Sequence, residues 1–287
     1  MLRAPLALVL AAVAGAAAAA DPPLPPTAAD LLGARALALS AYRGLAGGND
    51  DILLNPAALA ARRRYTVEFQ YLQERLGPSR QAQVVQGSVV DSETTGATGG
   101  FAYTRLLEGP TTGTLYHLAL AAPVGGGLYG GVTGKFLDLT TAGGERASAA
   151  TVDAGLYWQA SRLVALGVAG YNLVPVNHPA DAPRGLGAGL SVGDEQRFHV
   201  AADWRTDWDR LGHRSDTWAA GAEVLLGDFV PVRAGFVKDG TRGARFWSAG
   251  LGLVSTGGLA LDLSYRQSLT DPVDRTFGAA LKLQLLQ

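Results

Sequence analysis

Ser191 and His199 are the one serine–histidine pair that the sequence places on neighbouring segments, in "GLSVGDEQRFHV". Acyl transfer would need that pair, a third polar group to orient the imidazole, and donors for an oxyanion. The pair would face a glycine-rich interior in which no oxyanion site is identifiable, so no enzyme activity and no catalytic residue is expected. The four histidines, His117, His178, His199 and His213, are scattered without metal-ligand spacing. The chain has no cysteine, which excludes thiol nucleophiles, disulfides, cysteine metal sites and lipid attachment at an N-terminal cysteine. Asp50 and Asp51 offer adjacent carboxylates to a cation, yet "GGNDD" reads first as a polar turn. "GGGLYGG" and "GLGAGLSVG" are glycine-rich like phosphate loops, but neither opens a helix. No metal and no cofactor is expected.

The charges that ask for an explanation lie inside apolar stretches: Glu68, Lys135, Asp153, Asp203, Glu223, Arg233, Asp262 and Lys282. Several have apolar neighbours on both sides, as Glu68 has Val67 and Phe69, and Asp262 has Leu261 and Leu263. In an extended chain, adjacent side chains point to opposite faces. "LALDLSYRQ" therefore has one greasy face and one sparse polar face. A soluble sandwich turns its greasy face inward and covers the other with many charges. Here the polar face carries about one charge per strand, of either sign, among glycines and alanines. A charge facing hydrocarbon at the bilayer midplane costs about 2–4 kcal/mol. The reading is a membrane barrel, with its leucines toward lipid and its charges paired across an enclosed lumen.

The elements that must position these charges follow from the same alternation. Fourteen strands are predicted: Tyr65–Gln73, Gln81–Val90, Thr98–Leu106, Gly113–Ala121, Leu128–Leu137, Ala150–Ala160, Leu163–Asn172, Arg184–Val192, Gln196–Trp204, Thr217–Leu226, Phe229–Lys238, Ala244–Ser255, Gly258–Gln267 and Asp274–Leu285. Roughly 9–11 tilted residues cross a bilayer. Connections after even-numbered strands are mostly tiny, as at Gly227 and Thr256. Those after odd-numbered strands are longer, as at Asp138, Leu173 and Arg205, with "DSETTGA" at Asp91 breaking the pattern. Outer-membrane barrels alternate short periplasmic turns and longer external loops in this way. Aromatics such as Phe69, Tyr157, Trp218, Phe246, Trp247 and Tyr265 fall toward strand ends, as interfacial girdles require.

Composition agrees. The chain has 287 residues, a formal charge of −1, 38 glycines and only 17% charged residues. Balanced charge leaves no basic footprint for nucleic acid. The N-terminus, "MLRAPLALVLAAVAGAAAAADPP", has a basic Arg3, a short apolar core and an alanine site, and is expected to be a signal peptide over residues 1–20. Residues 21–64 would form a proline-rich spacer and a short helical segment, and residues 65–287 the barrel. The location expected is the outer membrane of a diderm bacterium, with the lipid bilayer as partner.

Before the first strand stands "GARALALSAYRGLAGGNDDILLNPAALA". Locally, Asn55 could cap a helix that starts at Pro56. The segment also resembles the N-terminal signature of the FadL-like and PorV/PorQ-like outer-membrane proteins, at Gly33, Ala34, Arg35, Ala36, Asp50, Asp51, Asn55, Pro56, Ala57, Leu59 and Ala60. That resemblance covers about 28 residues by its motif. It departs at Ala38–Ala41, where the family has a glycine-rich step, and at Leu53-Leu54, where it has an aromatic. It implies a fourteen-stranded barrel whose N-terminal segment plugs the lumen, and either outer-membrane passage of hydrophobic molecules or a secretion-associated role. Arg35, Asp50, Asp51, Asn55, Pro56 and Ala57 are then the expected plug residues. The expected activity is a channel for small hydrophobic solutes gated by that plug. The alternative is a plugged barrel that does not transport and instead docks an envelope or secreted protein.

Overall fold

The computed structural model describes residues 32–75, 81–94, 96–108, 112–140, 144–177, 182–194, 197–210 and 212–285. The expected signal peptide, the proline-rich spacer up to residue 31, and His178 lie outside the described residues. Fourteen antiparallel strands close into one barrel, each paired to its sequence neighbours, with the last strand paired to the first. They are β1 Tyr65–Arg75, β2 Gln81–Asp91, β3 Thr98–Glu108, β4 Thr112–Gly125, β5 Leu128–Thr140, β6 Arg146–Gln159, β7 Val164–Tyr171, β8 Gly185–Asp194, β9 Phe198–Asp207, β10 Ser215–Leu226, β11 Val230–Asp239, β12 Ala244–Val254, β13 Leu259–Ser268 and β14 Arg275–Leu285. Closure leaves every strand with two partners and removes the unpaired edges that an open sheet presents.

The faces are sorted by chemistry. On β1, Phe69 is 58% exposed, whereas Glu68 beside it is 5% exposed. Val67, Leu118, Leu261, Leu263, Leu281 and Leu283 join Phe69 on the outer surface. A water-soluble barrel would bury such a continuous apolar band, so this band faces hydrocarbon. Among the described residues no helix is long and apolar enough to cross a membrane.

Three expectations need correction. The connection expected to begin at Asp138 is largely strand: Asp138 and Arg146 pair through two bonds of 2.8 and 2.9 Å, and the β5–β6 ladder runs out to Thr140 and Arg146. Likewise β9 continues to Asp207 and β10 begins at Ser215, which shortens the loop expected at Arg205. Phe246 and Tyr157 do not belong to a girdle; each is 1% exposed and faces the lumen. Phe246 offers its ring face to Arg266 and Arg242, 4.9 and 5.9 Å away. We call the end where the chain enters β1 and leaves β14 the inner end, and the opposite end the outer end.

Candidate functional site

The lumen is filled by residues 32–64. Helix α1 (Ala34–Leu39) lies against β10 to β14 and β1, helix α2 (Asp51–Leu54) against β3 and β4, and a 3₁₀ turn (Pro56–Ala61) against β3 to β6. The segment is built from alanine, leucine and glycine because its backbone runs directly on the wall. The wall makes room with inward glycines. A Cβ at Gly221 would meet the Leu39 carbonyl oxygen at 1.9 Å, and one at Gly167 would meet that of Arg43 at 1.9 Å. Gly131, Gly189 and Gly235 leave similar room for Ala57, Gly44 and Leu39. A side chain at any of these positions would occupy the space that the plug backbone takes.

Charge fixes the first half of the plug. Arg35 grips Glu223 on β10 through Nε (3.2 Å) and Nη2 (2.9 Å), while Arg233 on β11 binds both Glu223 and Asp262. Asp203 on β9 accepts the backbone N–H groups of Tyr42 and Arg43 at 2.8 and 2.9 Å and the Arg43 guanidinium at 3.1 Å. Arg43 also donates to the Tyr171 hydroxyl (2.6 Å), which donates to the Leu54 carbonyl (2.5 Å). At the inner end Arg64 donates to Asp51 and to the Gly48 carbonyl, and its own N–H is held by Ser92 at 2.6 Å. Lys282 pairs with Glu68, and Lys135 with Asp153, each at 2.8 Å. Asp50 packs against Gly33, and burial, then the nearby Glu68, push its carboxyl above the usual carboxylate range against the pull of Lys282.

The second half is held mostly by small apolar contacts. Ile52 and Leu59 pack among Val90, Ala102, Ala119 and Ala121, while Ala57 and Ala58 pack with Tyr157 and Ala165. Side-chain bonds add to this, from Thr133 to the Ile52 carbonyl (3.1 Å), from Asn55 to the Leu156 carbonyl (3.2 Å), from Asn49 to Ser88 (2.9 Å) and from Thr66 to Asn49 (2.6 Å). Asn55 does not cap the 3₁₀ turn with its side chain. Its amide instead fills the recess left by Gly155 and Gly167 and also reaches the Arg43 carbonyl at 3.3 Å. Pro56 then opens the turn, where its missing N–H is no loss.

Toward the outer end, two environments face each other. A cavity of about 80 Å³ is lined by Leu32, Ser40, Arg43 and Leu54 of the plug and by Asp203, Arg205, Asp207, Asp239, Arg242 and Arg266 of the wall. That volume holds roughly two or three waters. Across the barrel, Leu106, Leu115, Leu137, Leu139 and Ala147 form an apolar lining on β3 to β6, with Ala182 of the β7–β8 connection packed on it.

Spacing alone did not identify Arg43, Tyr171, Arg64 or the wall glycines. The available signal was in "GLGAGLSVG", where Gly185, Gly187 and Gly189 alternate on one face, as a surface for a close backbone would. His199 lies 3.8 Å from Glu223, a carboxylate that Arg35 and Arg233 both engage. His213 is exposed and His117 is buried opposite Lys135. Among the described residues no group of three His, Asp or Glu side chains could hold a metal.

No protein-family model matches the chain, and no curated protein matches it. Solved structures do. A FadL homologue of Pseudomonas aeruginosa aligns over 90% of this chain and 98% of its own, with 12% identity and a TM-score of 0.62. The toluene transporter TodX of Pseudomonas putida aligns over 88% and 96%, with 12% identity and a TM-score of 0.60. The monoaromatic hydrocarbon channel CymD gives 88% and 96%, 12% and 0.61. At such identities the likeness is one of architecture: the chain has the fold of the FadL-like outer-membrane barrels.

Proposed function

We propose that the protein is an outer-membrane channel for small hydrophobic solutes, closed by residues 32–64, and that it opens where the plug meets β3 to β6. The observation that carries this reading is the unequal attachment of the plug. Pulling Arg35 from Glu223 breaks a largely buried, two-bond ion pair, at a cost of up to about 3–5 kcal/mol. Lifting Ile52 and Leu59 off the wall exposes apolar surface, worth about 1.5–3 kcal/mol per side chain, and a hydrophobic solute entering the gap covers that surface again. No such solute replaces a guanidinium. The apolar lining from Leu106 to Ala147 continues the route toward the outer end. The printed names of the structural neighbours, a toluene transporter and a monoaromatic hydrocarbon channel, agree with an apolar cargo.

The test is deletion of Leu32 to Ala60. Bilayer conductance and uptake of an aromatic hydrocarbon should both rise in the deleted barrel, and unchanged values would remove the plug from the mechanism. A second reading, a barrel that does not transport and instead docks an envelope or secreted protein, is favoured by one observation: several outer connections are short, such as residues 240–243 between β11 and β12. A specific co-purifying partner, together with no flux in the intact protein, would select it.

A further inference from the structure

Among the described residues several cations on the outer rim have carboxylate partners. Arg146 pairs with Asp138, Arg184 with Asp209 at 2.6 Å, and Arg214 with Asp216 at 3.1 Å. On the arc from β11 through β12 and β14 to β1 the pattern reverses. Arg75, the last residue of β1, stands directly opposite Arg275, the first of β14. Lys238, near the outer end of β11, stands directly opposite Arg245 on β12. All four are exposed and share the face of the lipid-directed residues of their strands. Cross-strand partners lie about 5 Å apart at Cβ, and like charges placed so destabilise a sheet unless an anion separates them. None of the four has a carboxylate partner among the described residues. Two residues further in on the same faces lie Phe277, Phe236 and Trp247, and Trp247 meets Tyr265 on β13 with ring centres 5.5 Å apart. Aromatics of this kind mark the headgroup level of a bilayer.

We propose that Arg75, Arg275, Lys238 and Arg245 form a docking surface for a phosphorylated glycolipid of the outer leaflet. Two pairs of cations, separated by the single strand β13, suit a headgroup that carries two phosphates. Guanidinium groups bind phosphate through paired hydrogen bonds, and a lysine adds a point charge. The rim cations already paired to carboxylates cannot do this without giving up their partners. The inference rests on the outer-membrane reading, which makes the outer end of the barrel the one that meets that leaflet.

The test uses full-length protein, purified in detergent and shown by heat-modifiable gel mobility to be folded. It is reconstituted into phosphatidylcholine nanodiscs containing diphosphoryl lipid A, the same lipid stripped of phosphate, or phosphatidylglycerol, and retained lipid is read by native mass spectrometry. Wild type should retain diphosphoryl lipid A at least about tenfold over the other two. R75Q/R275Q and K238Q/R245Q should each lower that preference, and the quadruple variant should abolish it. R146Q/R184Q should leave it unchanged. Equal retention of the three lipids by wild type overturns the proposal, as does discrimination that survives in both double variants. Either result obtained on a heat-modifiable membrane barrel leaves the outer-membrane reading standing. A chain that stays soluble without detergent would fail that reading instead.

Discussion

The wall from β9 through β14 to β1 and the wall from β2 to β6 surround the same plug with different chemistry. The first presents Asp203, Glu223, Arg233, Asp262, Lys282 and Glu68, and receives Arg35, Arg43 and helix α1. The second presents Val90, Ala102, Ala119, Ala121 and Leu137, and receives Ile52, Leu59 and two alanines; its charges are confined to Lys135 with Asp153. A single segment is thus anchored on one side by directional, buried charge and seated on the other by shape and apolar contact. In the proposed mechanism this difference decides which side yields to an apolar solute. Charge-assisted bonds have no substitute once broken, whereas apolar contacts are interchangeable with those of a solute.

The strongest way to break the contrast is at Glu223. In E223Q, Arg35 loses its counter-charge and Arg233 keeps only Asp262. The first half of the plug should loosen by about 3–5 kcal/mol, read as faster tryptic cleavage after Arg35 and Arg43 in the folded barrel. Cleavage at the wild-type rate would mean that the ion pairs do not hold the plug. A smaller effect is expected from Gly167→Val, whose side chain would meet the Arg43 carbonyl and the Asn55 amide. The backbone must shift, at about 1–3 kcal/mol, and the same cleavage should quicken by less. Gly87→Val, at a glycine with open space around it, is the matched control and should cleave like wild type.

The barrel was legible in the sequence because a two-residue period survives any tertiary context. Val67, Glu68 and Phe69 alternate in the sequence and again in exposure. Inward charges were legible for the same reason. Their partners were not: the approach of Arg35 to Glu223 joins positions 188 residues apart, and no spacing rule reaches that far. Asn55 carries a local capping signal before Pro56, and the tertiary recesses at Gly155 and Gly167 override it. The division of the lumen into a charged and an apolar half depends on strand adjacency around the closed barrel. It appears only once β1 is seen to pair with β14.

The central claim is that the plug leaves β3 to β6 while staying anchored on β10 to β14. A chain without native cysteine allows each side to be stapled in turn. On the apolar side, a Cβ at Gly100 would lie 3.0 Å from Cγ1 of Ile52, and on the anchored side the Ser40 and Ser248 hydroxyls are 2.8 Å apart, so each pair brings two side chains together where a cysteine staple can be tried. Oxidising I52C/G100C should stop hydrocarbon uptake and reducing it should restore uptake, while oxidising S40C/S248C should leave uptake at the wild-type level. Uptake that survives the first staple, or stops with the second, would contradict the account.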